Sequence, residues 1–482
     1  MKTDAEFAAW LDDSTGQRVT LYDLSVRSGG TEITRRVSNR AYPLAPAATP
    51  YLAAVASDLE IDESISMDGE AKLSTGVLGL HNIGGALDAW LLDIWTNRSA
   101  TVMVGDVRWP LTDFRTVFVG MQADIFPASD RNLLTIKFRD VLQALNTPVS
   151  EDKLSGDVLR PVALGEVPNM TPKYDAATGR WYYHRAGAEG VIEARTDGKL
   201  RLITDDPTTG SFTFNSAVGP GAVTCSVQGD KTGGTYRNTI ASLVQLLVTS
   251  YGKASTRLTT ADIDAANFAA FEAANPQPVG LGVLDRKNVL VACADLASSK
   301  GAQLVPSRLA KLRLIQFAIP TSATKDIRLA DQVERSLVAV ARTSAQAAAT
   351  VAGCRNYTPQ PNLQTSLPEA HKALFAAEWR SATAFDSTTQ TVYKLATDAV
   401  PRETCLVDDA DIQVEATRIL NIIKVPRTTY QYKGTPNSLL LELGQAVRLF
   451  GNRYNLVAGV YGLVTRISIN FGTCRATVEV TC

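Results

Sequence analysis

Short runs of alternating apolar and polar residues dominate roughly the first 150 positions of the chain. Alternation with a period of two is the pattern of strands with one buried face. Strands are predicted at 18–26, 116–120 and 133–138. The run 101–109 predicts a hairpin that turns at Gly105-Asp106. Ala86, Trp90 and Ile94 are spaced four apart and predict a short helix over 86–95.

The pattern becomes helical in the middle of the chain, after a stretch of short strand candidates. Ile240, Leu243, Val244 and Leu247 follow the i, i+3, i+4, i+7 spacing of a buried helical stripe, and Gly252 is placed to end that helix. Further elements are predicted as helices at 260–274 and 288–301, and as a hairpin at 303–317.

The last part of the chain returns to strands, except for a helix over 408–420. That segment has acidic residues at its start and Arg418 near its end, as the helix dipole prefers. Strands are predicted at 428–432, 438–443, 446–450, 462–469 and 476–480. Such close spacing of short strands indicates a small barrel or sandwich.

These patterns together predict an α+β fold that is predominantly β, with a central α+β part. The length of 482 residues favours several folding units. Four domains are predicted: a β-rich N-terminal domain at 1–158, a small β module at 159–235, an α+β module at 236–335, and a C-terminal β domain with one helix at 336–482.

Composition narrows the class of protein. Lys and Arg total 48 and Asp and Glu total 49, so the formal charge is -1. A dedicated duplex-DNA binder usually carries a basic excess, and specific nucleic-acid recognition is therefore not expected. No run approaches the roughly 18 apolar residues that span a bilayer. The N-terminus lacks the apolar core of a signal peptide, so we expect a soluble protein made in a cytoplasm.

The sequence contains no recognisable motif for a metal or redox site. Six cysteines are scattered without a CxxC pair: Cys225, Cys293, Cys354, Cys405, Cys474 and Cys482. Reduced, mostly buried thiols are the simpler interpretation, although an iron–sulfur cluster built from distant cysteines stays open. The three histidines, His81, His184 and His371, form no HExxH motif and are expected to be structural or exposed. No metal ligand is assigned.

Hydrolase motifs are also lacking. Neither a GxSxG elbow nor a phosphate-binding GxxxxGK[ST] loop occurs. Adjacent acids stand at Asp12-Asp13, at Asp58 and Glu60, and at Asp408-Asp409, but neighbouring positions do not create the geometry of a glycosidase. Surface exposure or helix capping is the expected role for these pairs, and turn formation is expected for Asp230 and Asp285. No catalytic residue is assigned, and no enzymatic activity is expected.

Two groups of residues have a binding interpretation beside a structural one. Trp90, Trp95 and Trp109 are close in sequence and would suit a sugar-stacking platform, but packing in the core or at a subunit interface is expected instead. The run 34–40 contains Arg35, Arg36 and Arg40, and it predicts a basic rim or an interface patch more readily than DNA recognition, because three cations neutralise few phosphates.

Whole segments resemble a known family more than any single motif does. The stretch 101–149 resembles the N-terminal domain of baseplate and tail-tip hub proteins of long-tailed bacteriophages, the T-even-type hub fold. The resemblance continues through the segments 160–172, 295–302, 311–314, 354–358, 415–416 and 443–445. It covers most of the chain, but it consists of strand-and-turn patterns and contains no catalytic fingerprint.

The resemblance implies N- and C-terminal β-barrel-like, tail-tube-like domains, and a virion tail-tip location. It implies a homotrimer whose pseudo-sixfold ring adapts the tail tube to a threefold spike or central fibre and lets the genome pass. The implied partners are a distal tail or tail-tube protein, the spike or fibre, and the tape-measure protein. No cofactor is implied, although some tail-tip relatives bind an iron–sulfur cluster. The alternatives are a tail-associated peptidoglycan hydrolase and a receptor- or glycan-binding tail module.

Overall fold

The structure is a computed structural model that describes residues 2–46, 49–66, 71–363, 367–394 and 399–482. It is predominantly β with several sheets, and helices are interspersed between them. The predicted α+β, mainly β fold class is therefore confirmed.

The strands in the first half are β1 (Arg18–Ser28), β2 (Thr31–Ser38), β3 (Leu52–Ala53), β4 (Val55–Ser57), β5 (Glu60–Ile65), β6 (Ala71–Thr75), β7 (Val77–His81), β8 (Ser99–Asp106), β9 (Arg115–Pro127), β10 (Leu133–Arg139), β11 (Val162–Met170), β12 (Lys173–Asp175), β13 (Arg180–Tyr182), β14 (Ala188–Thr196), β15 (Lys199–Arg201), β16 (Ile203–Asp206), β17 (Ser211–Phe214) and β18 (Val223–Asp230). Those in the second half are β19 (Gly280–Val283), β20 (Ala302–Pro306), β21 (Leu312–Gln316), β22 (Lys325–Ile327), β23 (Val338–Arg342), β24 (Ala348–Gly353), β25 (Arg380–Phe385), β26 (Arg402–Glu403), β27 (Thr428–Lys433), β28 (Ala446–Leu449), β29 (Val460–Asn470) and β30 (Arg475–Thr481).

The α-helices are α1 (Asp4–Asp12), α2 (Ile240–Ser250), α3 (Ala265–Ala274), α4 (Val289–Ser298), α5 (Glu369–Ala376), α6 (Ser387–Tyr393) and α7 (Asp409–Ile423). Short 3₁₀ turns lie at Ile83–Gly85, Asp88–Leu92, Leu111–Asp113, Val141–Leu145, Ser155–Asp157, Thr232–Gly234, Ala254–Thr256, Thr260–Asp262, Leu329–Asp331 and Pro436–Leu440.

The chain divides into two compact units that are interleaved in sequence. Unit 1 contains Met1–Gln143, Val305–Thr343 and Arg427–Cys482, and unit 2 contains Ala144–Leu304 and Ser344–Pro426. Unit 1 thus joins the two ends of the chain. The division into four sequential domains stays a prediction.

The first sheet of unit 1 is nearly closed. Its eight described strands follow the order β3-β2-β1-β8-β9-β10-β7-β4. The outermost strands, β3 and β4, are separated in the chain by Ala54 alone, so one short stretch borders both ends of the sheet. A sheet that closes on itself leaves few unpaired backbone groups at its edges.

The second sheet of unit 1 repeats this topological feature. Its strands follow the order β22-β28-β29-β30-β27-β23, and the β5–β6 hairpin joins it through β29. The outer strands β22 and β23 are consecutive in the chain, and between them Gln332 forms a bridge with Gly434 at the end of β27. The alternating burial of β29 and β30 shows why these residues form strands with one face in the core.

Both sheets of unit 1 contribute to one hydrophobic core. Tyr22 and Trp95 from the N-terminal segment and Tyr432 and Val478 from the C-terminal segment belong to it and are fully buried. Burial of aromatic and β-branched side chains of this size stabilises by roughly 1.5–3 kcal/mol each. The two ends of the chain therefore fold together.

The described residues of unit 2 form three sheets and most of the α-helices. The sheets follow the orders β15-β14-β18-β11-β19, β12-β13-β17-β16 and β25-β24-β26. The predicted stripe on α2 is buried, and Gly252 follows that helix with φ +72°, which favours glycine. Both of these predictions are confirmed.

A buried ion cluster connects α7 to the turn after α4 in unit 2. Glu415 is fully buried and lies 3.0 Å from the ammonium of Lys300, which is also buried. Arg418 donates from Nη2 to the same carboxylate over 2.6 Å. Charges removed from water require such partners, because isolated buried ions are strongly disfavoured.

Three local predictions are wrong. The segment 101–109 is not a hairpin, because β8 runs straight through Gly105 and Asp106, which pair with Val19 and Arg18 on β1. The segment 86–95 forms a 3₁₀ turn in place of the predicted helix, and Ile94 is exposed. Residues 438–443 are not a strand, since Pro436 begins a 3₁₀ turn there.

Candidate functional site

A cavity of about 300 Å³ lies within unit 2 and is a candidate binding site. Its walls come from the strands β11, β14 and β18, from helix α5 and from the segments beside β24 and β25. It is lined by Pro168, Asn169, Glu193, Arg195, Ser226, Cys354, Asn356, His371, Leu374, Phe375, Ala377 and Arg380.

The strand pairing of β14 with β18 places the polar wall of the cavity. Glu193 and Arg195 are two residues apart on β14 and therefore share a face. Ser226 on β18 is the cross-strand partner of Glu193, and its hydroxyl lies 3.4 Å from Glu193 Oε1. The Ser226 hydroxyl also accepts a hydrogen bond from the backbone N–H of Asn169 on β11, over 3.1 Å.

Two carboxamides connect the strands to the segment before α5. Asn169 Nδ2 donates to Asn356 Oδ1 over 2.7 Å and to the carbonyl of Thr358 over 3.0 Å. Asn356 Nδ2 in turn donates to the carbonyls of Phe375 and Ala377, over 2.8 and 3.1 Å. Both carboxamides are thus held in fixed orientations.

The guanidinium of Arg195 is fixed from two sides. It donates to Glu193 Oε2 over 2.6 Å and to the carbonyl of Gly198 over 2.9 Å. It also lies over the ring of Phe375, with its central carbon 4.9 Å from the ring centroid. The ion pair with Glu193 leaves this wall without net charge.

The lining also contains a thiol, Cys354, and one member of a second ion pair, Arg380. Arg380 donates to Asp409 Oδ2 over 2.6 Å, and Cys354 Sγ lies 3.6 Å from the other oxygen of the same carboxylate. Burial raises the pKa of the Cys354 thiol to about 12. The thiol therefore stays protonated at neutral pH and is a poor nucleophile.

Unit 2 also contains a closed histidine–aspartate cluster. His184 and Asp230 are fully buried, and His184 Nε2 lies 3.6 Å from Asp230 Oδ2. His184 Nδ1 accepts the backbone N–H of Ala163 over 3.1 Å, and the Tyr251 hydroxyl donates to Asp230. Burial lowers the pKa of His184. Burial alone would raise the pKa of Asp230, but the neighbouring His184 and hydrogen bonds from Tyr251 and the backbone of Thr232 bring it below its usual range.

This cluster is a structural connection between elements. The Tyr251 hydroxyl and His184 tie the end of β18 to the end of α2 and to β11. Asp230 was interpreted from the sequence as a turn residue, and it does accept the N–H of Thr232, but its main contacts are these buried ones. Sequence reasoning missed the cluster because its members are far apart in the chain.

The members of the acidic pairs noted in the sequence each have their own contacts. Asp58 accepts the hydroxyl of Tyr22 over 2.8 Å. Asp408 caps α7 by accepting the backbone N–H of Ala410, over 2.8 Å, as helix termini prefer. Asp12 ends α1, and Asp13 is its C-cap.

The cysteines and tryptophans are placed by packing. All six cysteines are free, and among the described residues no group of three or more histidine, cysteine or acidic side chains is arranged to hold a metal. The absence of a cofactor stays a prediction. Trp95 is fully buried beside Trp90, at 6.0 Å between ring centroids, whereas Trp109 contacts Trp10 at 4.6 Å. The described part of the chain contains no helix long and apolar enough to cross a membrane.

Comparison with known proteins gives distant structural neighbours. No family model and no curated protein matches the chain. A tail protein from Neisseria meningitidis MC58 aligns with a TM-score of 0.43 at 10% identity, covering 96% of each chain. The prophage MuSo2 43 kDa tail protein from Shewanella oneidensis gives 0.39 at 12% identity, again covering 96% of each.

A third neighbour is a chain of the virion of a native gene transfer agent particle. It aligns with a TM-score of 0.44 at 12% identity, over 68% of this chain and 85% of the neighbour.

Proposed function

We propose that this chain is a structural subunit of a phage tail, and more specifically a hub subunit at the tail tip. The observation that carries the proposal is the architecture of unit 1. Both ends of the chain build one unit with two sheets, and the outer strands of each sheet are consecutive in the chain. Three copies of a chain with two such barrel-like sheets would place six similar sheets around one axis. Such a ring has threefold symmetry by chain and approximate sixfold symmetry by sheet, which suits a junction between a sixfold tube and a threefold spike.

Exposed apolar residues in unit 1 supply surfaces for contacts between copies. Leu92 is 86% exposed and Ile83 is 73% exposed, within one short segment before β8. The strand β23 lies at the edge of the second sheet, and every one of its residues is exposed, including Val338 and Val340. Exposed apolar clusters and unpaired strand edges are typical of surfaces that another chain covers.

The remaining parts of the proposal follow from the resemblance in sequence. The subunit forms a homotrimeric ring in the virion tail tip. The ring contacts a distal tail or tail-tube protein, a spike or central fibre and the tape-measure protein, and lets the genome pass during ejection. A net charge of -1 supports close packing of copies, because like subunits do not repel strongly. We propose no enzymatic role and no cofactor.

The oligomeric state of the full chain tests this function. Multi-angle light scattering is expected to give about three times the monomer mass of 51.8 kDa. Leu92→Asp combined with Val338→Asp should shift the population towards monomer, because charges in a desolvated interface are costly. Leu202→Asp in unit 2, at a residue that is 79% exposed, is the matched control.

A cryo-electron map of the intact particle decides the location. Three copies coaxial with the tail tube are expected. A chain found away from the tail axis, or present in one or six copies around it, would overturn the hub assignment.

A further inference from the structure

We propose that the cavity of unit 2 binds a single neutral sugar unit of a surface glycan. This inference does not depend on a trimeric ring, because the lining residues all belong to unit 2 of one chain. It assigns a specific ligand class to a part of the chain that the hub function leaves unused.

The charge balance of the cavity favours a neutral ligand. The two arginines of the lining are each paired with a carboxylate: Arg195 with Glu193 at 2.6 Å, and Arg380 with Asp409 at 2.6 Å. An anion would have to compete with these carboxylates for the guanidinium groups. A neutral polar molecule can instead contact Glu193, Arg195 and Arg380 without separating either pair.

The hydrogen-bonding groups match vicinal hydroxyls. A sugar hydroxyl donates one hydrogen bond and accepts others. The lining offers carboxylate and carboxamide oxygens as acceptors, and guanidinium and hydroxyl groups as donors, on Asn169, Glu193, Arg195 and Ser226. These groups alternate over a short distance, because Glu193 and Ser226 are cross-strand partners.

The polar wall is organised before a ligand arrives. Asn169, Ser226 and Glu193 are linked by hydrogen bonds to one another or to the backbone. Three of the lining segments are strands of the same sheet, β11, β14 and β18. A site that is already ordered loses less conformational entropy on binding, which raises affinity for a small ligand.

The remaining wall is apolar and suits the C–H face of a pyranose ring. Pro168, Leu374, Phe375 and Ala377 line it, and Leu374 is 46% exposed at the surface of α5. A volume of about 300 Å³ lies at the small end of ligand sites, which fits one sugar unit better than a long oligosaccharide.

Saturation-transfer NMR and calorimetry on the full chain test this proposal with glucose, galactose and N-acetylglucosamine as probes. We expect saturable binding of at least one of them, with a Kd on the order of 1 mM. Leu374→Trp should fill the cavity and raise that Kd at least about tenfold. Ala373→Trp, on the same helix but outside the lining, is the matched control and should leave the Kd unchanged.

A second variant, Ser226→Ala, keeps the test decisive if Leu374→Trp fails to fold, which its melting temperature reports. It removes one hydroxyl from the polar wall and should weaken binding several-fold. The proposal is overturned if none of the three sugars binds saturably or if neither variant weakens binding. Tighter binding of acetate or phosphate than of any sugar, lost in the same variants, would also overturn it. If the chain binds sugar but is monomeric, the trimeric ring is refuted and the sugar site is not.

Discussion

A buried carboxyl group in unit 1 should make the stability of that unit depend on pH. Glu63 lies on β5 and is 4% exposed. The nearest cation is Arg308, whose Nε is 3.9 Å from Glu63 Oε2. Both terminal nitrogens of Arg308 donate to the backbone carbonyls of Leu439 and Leu441, so the arginine is only partly available to the carboxylate.

The positive charges around Glu63 do not offset the effect of its burial on the pKa. Burial raises the pKa of Glu63 to about 7, and the negative charges of Glu442 and Asp62 act in the same direction. The positive charges of Arg308 and Arg313 oppose the shift. Because the folded state holds this proton more tightly than the unfolded state does, the carboxyl group favours folding most at acid pH.

The sign and size of the effect follow from linkage. Stability from this group is fully present below about pH 4.5 and is lost as the pH rises through about 7. Each pH unit between the ordinary pKa of 4.5 and the folded-state pKa of about 7 lowers the free energy of unfolding by about 1.4 kcal/mol. The ionised carboxylate therefore destabilises the fold by up to about 3 kcal/mol above pH 7. Relaxation of the surrounding residues reduces that figure in practice.

Glu63→Gln should remove this pH dependence. Glutamine has nearly the same shape and stays neutral, so the variant should exceed the native chain by less than about 1 kcal/mol at pH 5 and by about 1–3 kcal/mol at pH 8. Urea unfolding between pH 5 and pH 8 measures the difference, and hydrogen exchange of β5 amides assigns it to unit 1. Glu334→Gln, at a side chain that is 85% exposed, is the control.

The reasoning is refuted if the native chain and Glu63→Gln lose stability in parallel between pH 5 and pH 8. It is equally refuted if the variant is the less stable of the two at pH 8, since Glu63 would then act as a stabilising anion.

Other substitutions test the packing of each unit. Glu415→Gln should destabilise unit 2 by about 3–5 kcal/mol in urea unfolding, because it leaves the cations of the buried ion cluster without their carboxylate. Tyr251→Phe should cost about 1–3 kcal/mol by the same measurement, because it removes the hydroxyl that donates to Asp230. Gly105→Ala should lower the melting temperature of unit 1, because the added methyl carbon would lie 2.7 Å from the ring of Phe114. Unchanged stability in any of the three would contradict the contact concerned.

Elements defined by local periodicity could be predicted from the sequence. The buried stripe of α2 and the acidic start of α7 are properties of neighbouring residues, and both helices are where the pattern places them. The strands β9 and β10 follow their period of two for the same reason, and β1 does so from Tyr22 to Val26.

Elements fixed by distant contacts could not be predicted. Gly105-Asp106 has the composition of a turn, but the Asp106 carboxylate accepts hydrogen bonds from Trp10 and from the backbone of Gln17, which keeps the segment in register with β1. The cavity in unit 2 is still less visible in the sequence, because its lining is drawn from residues 168 to 380. No local pattern relates such positions.

The topology of unit 1 limits uncontrolled pairing between copies of the chain. Unpaired strand edges are templates for uncontrolled pairing, and a sheet whose outer strands are consecutive in the chain leaves few of them. In the second sheet, β23 is an outer strand with all five residues exposed, and the register shift between Ala339 and Ala341 interrupts its ladder with β27. Such a bulge weakens random edge pairing. An edge that is short, apolar and irregular therefore favours a partner with a complementary shape over random strand pairing.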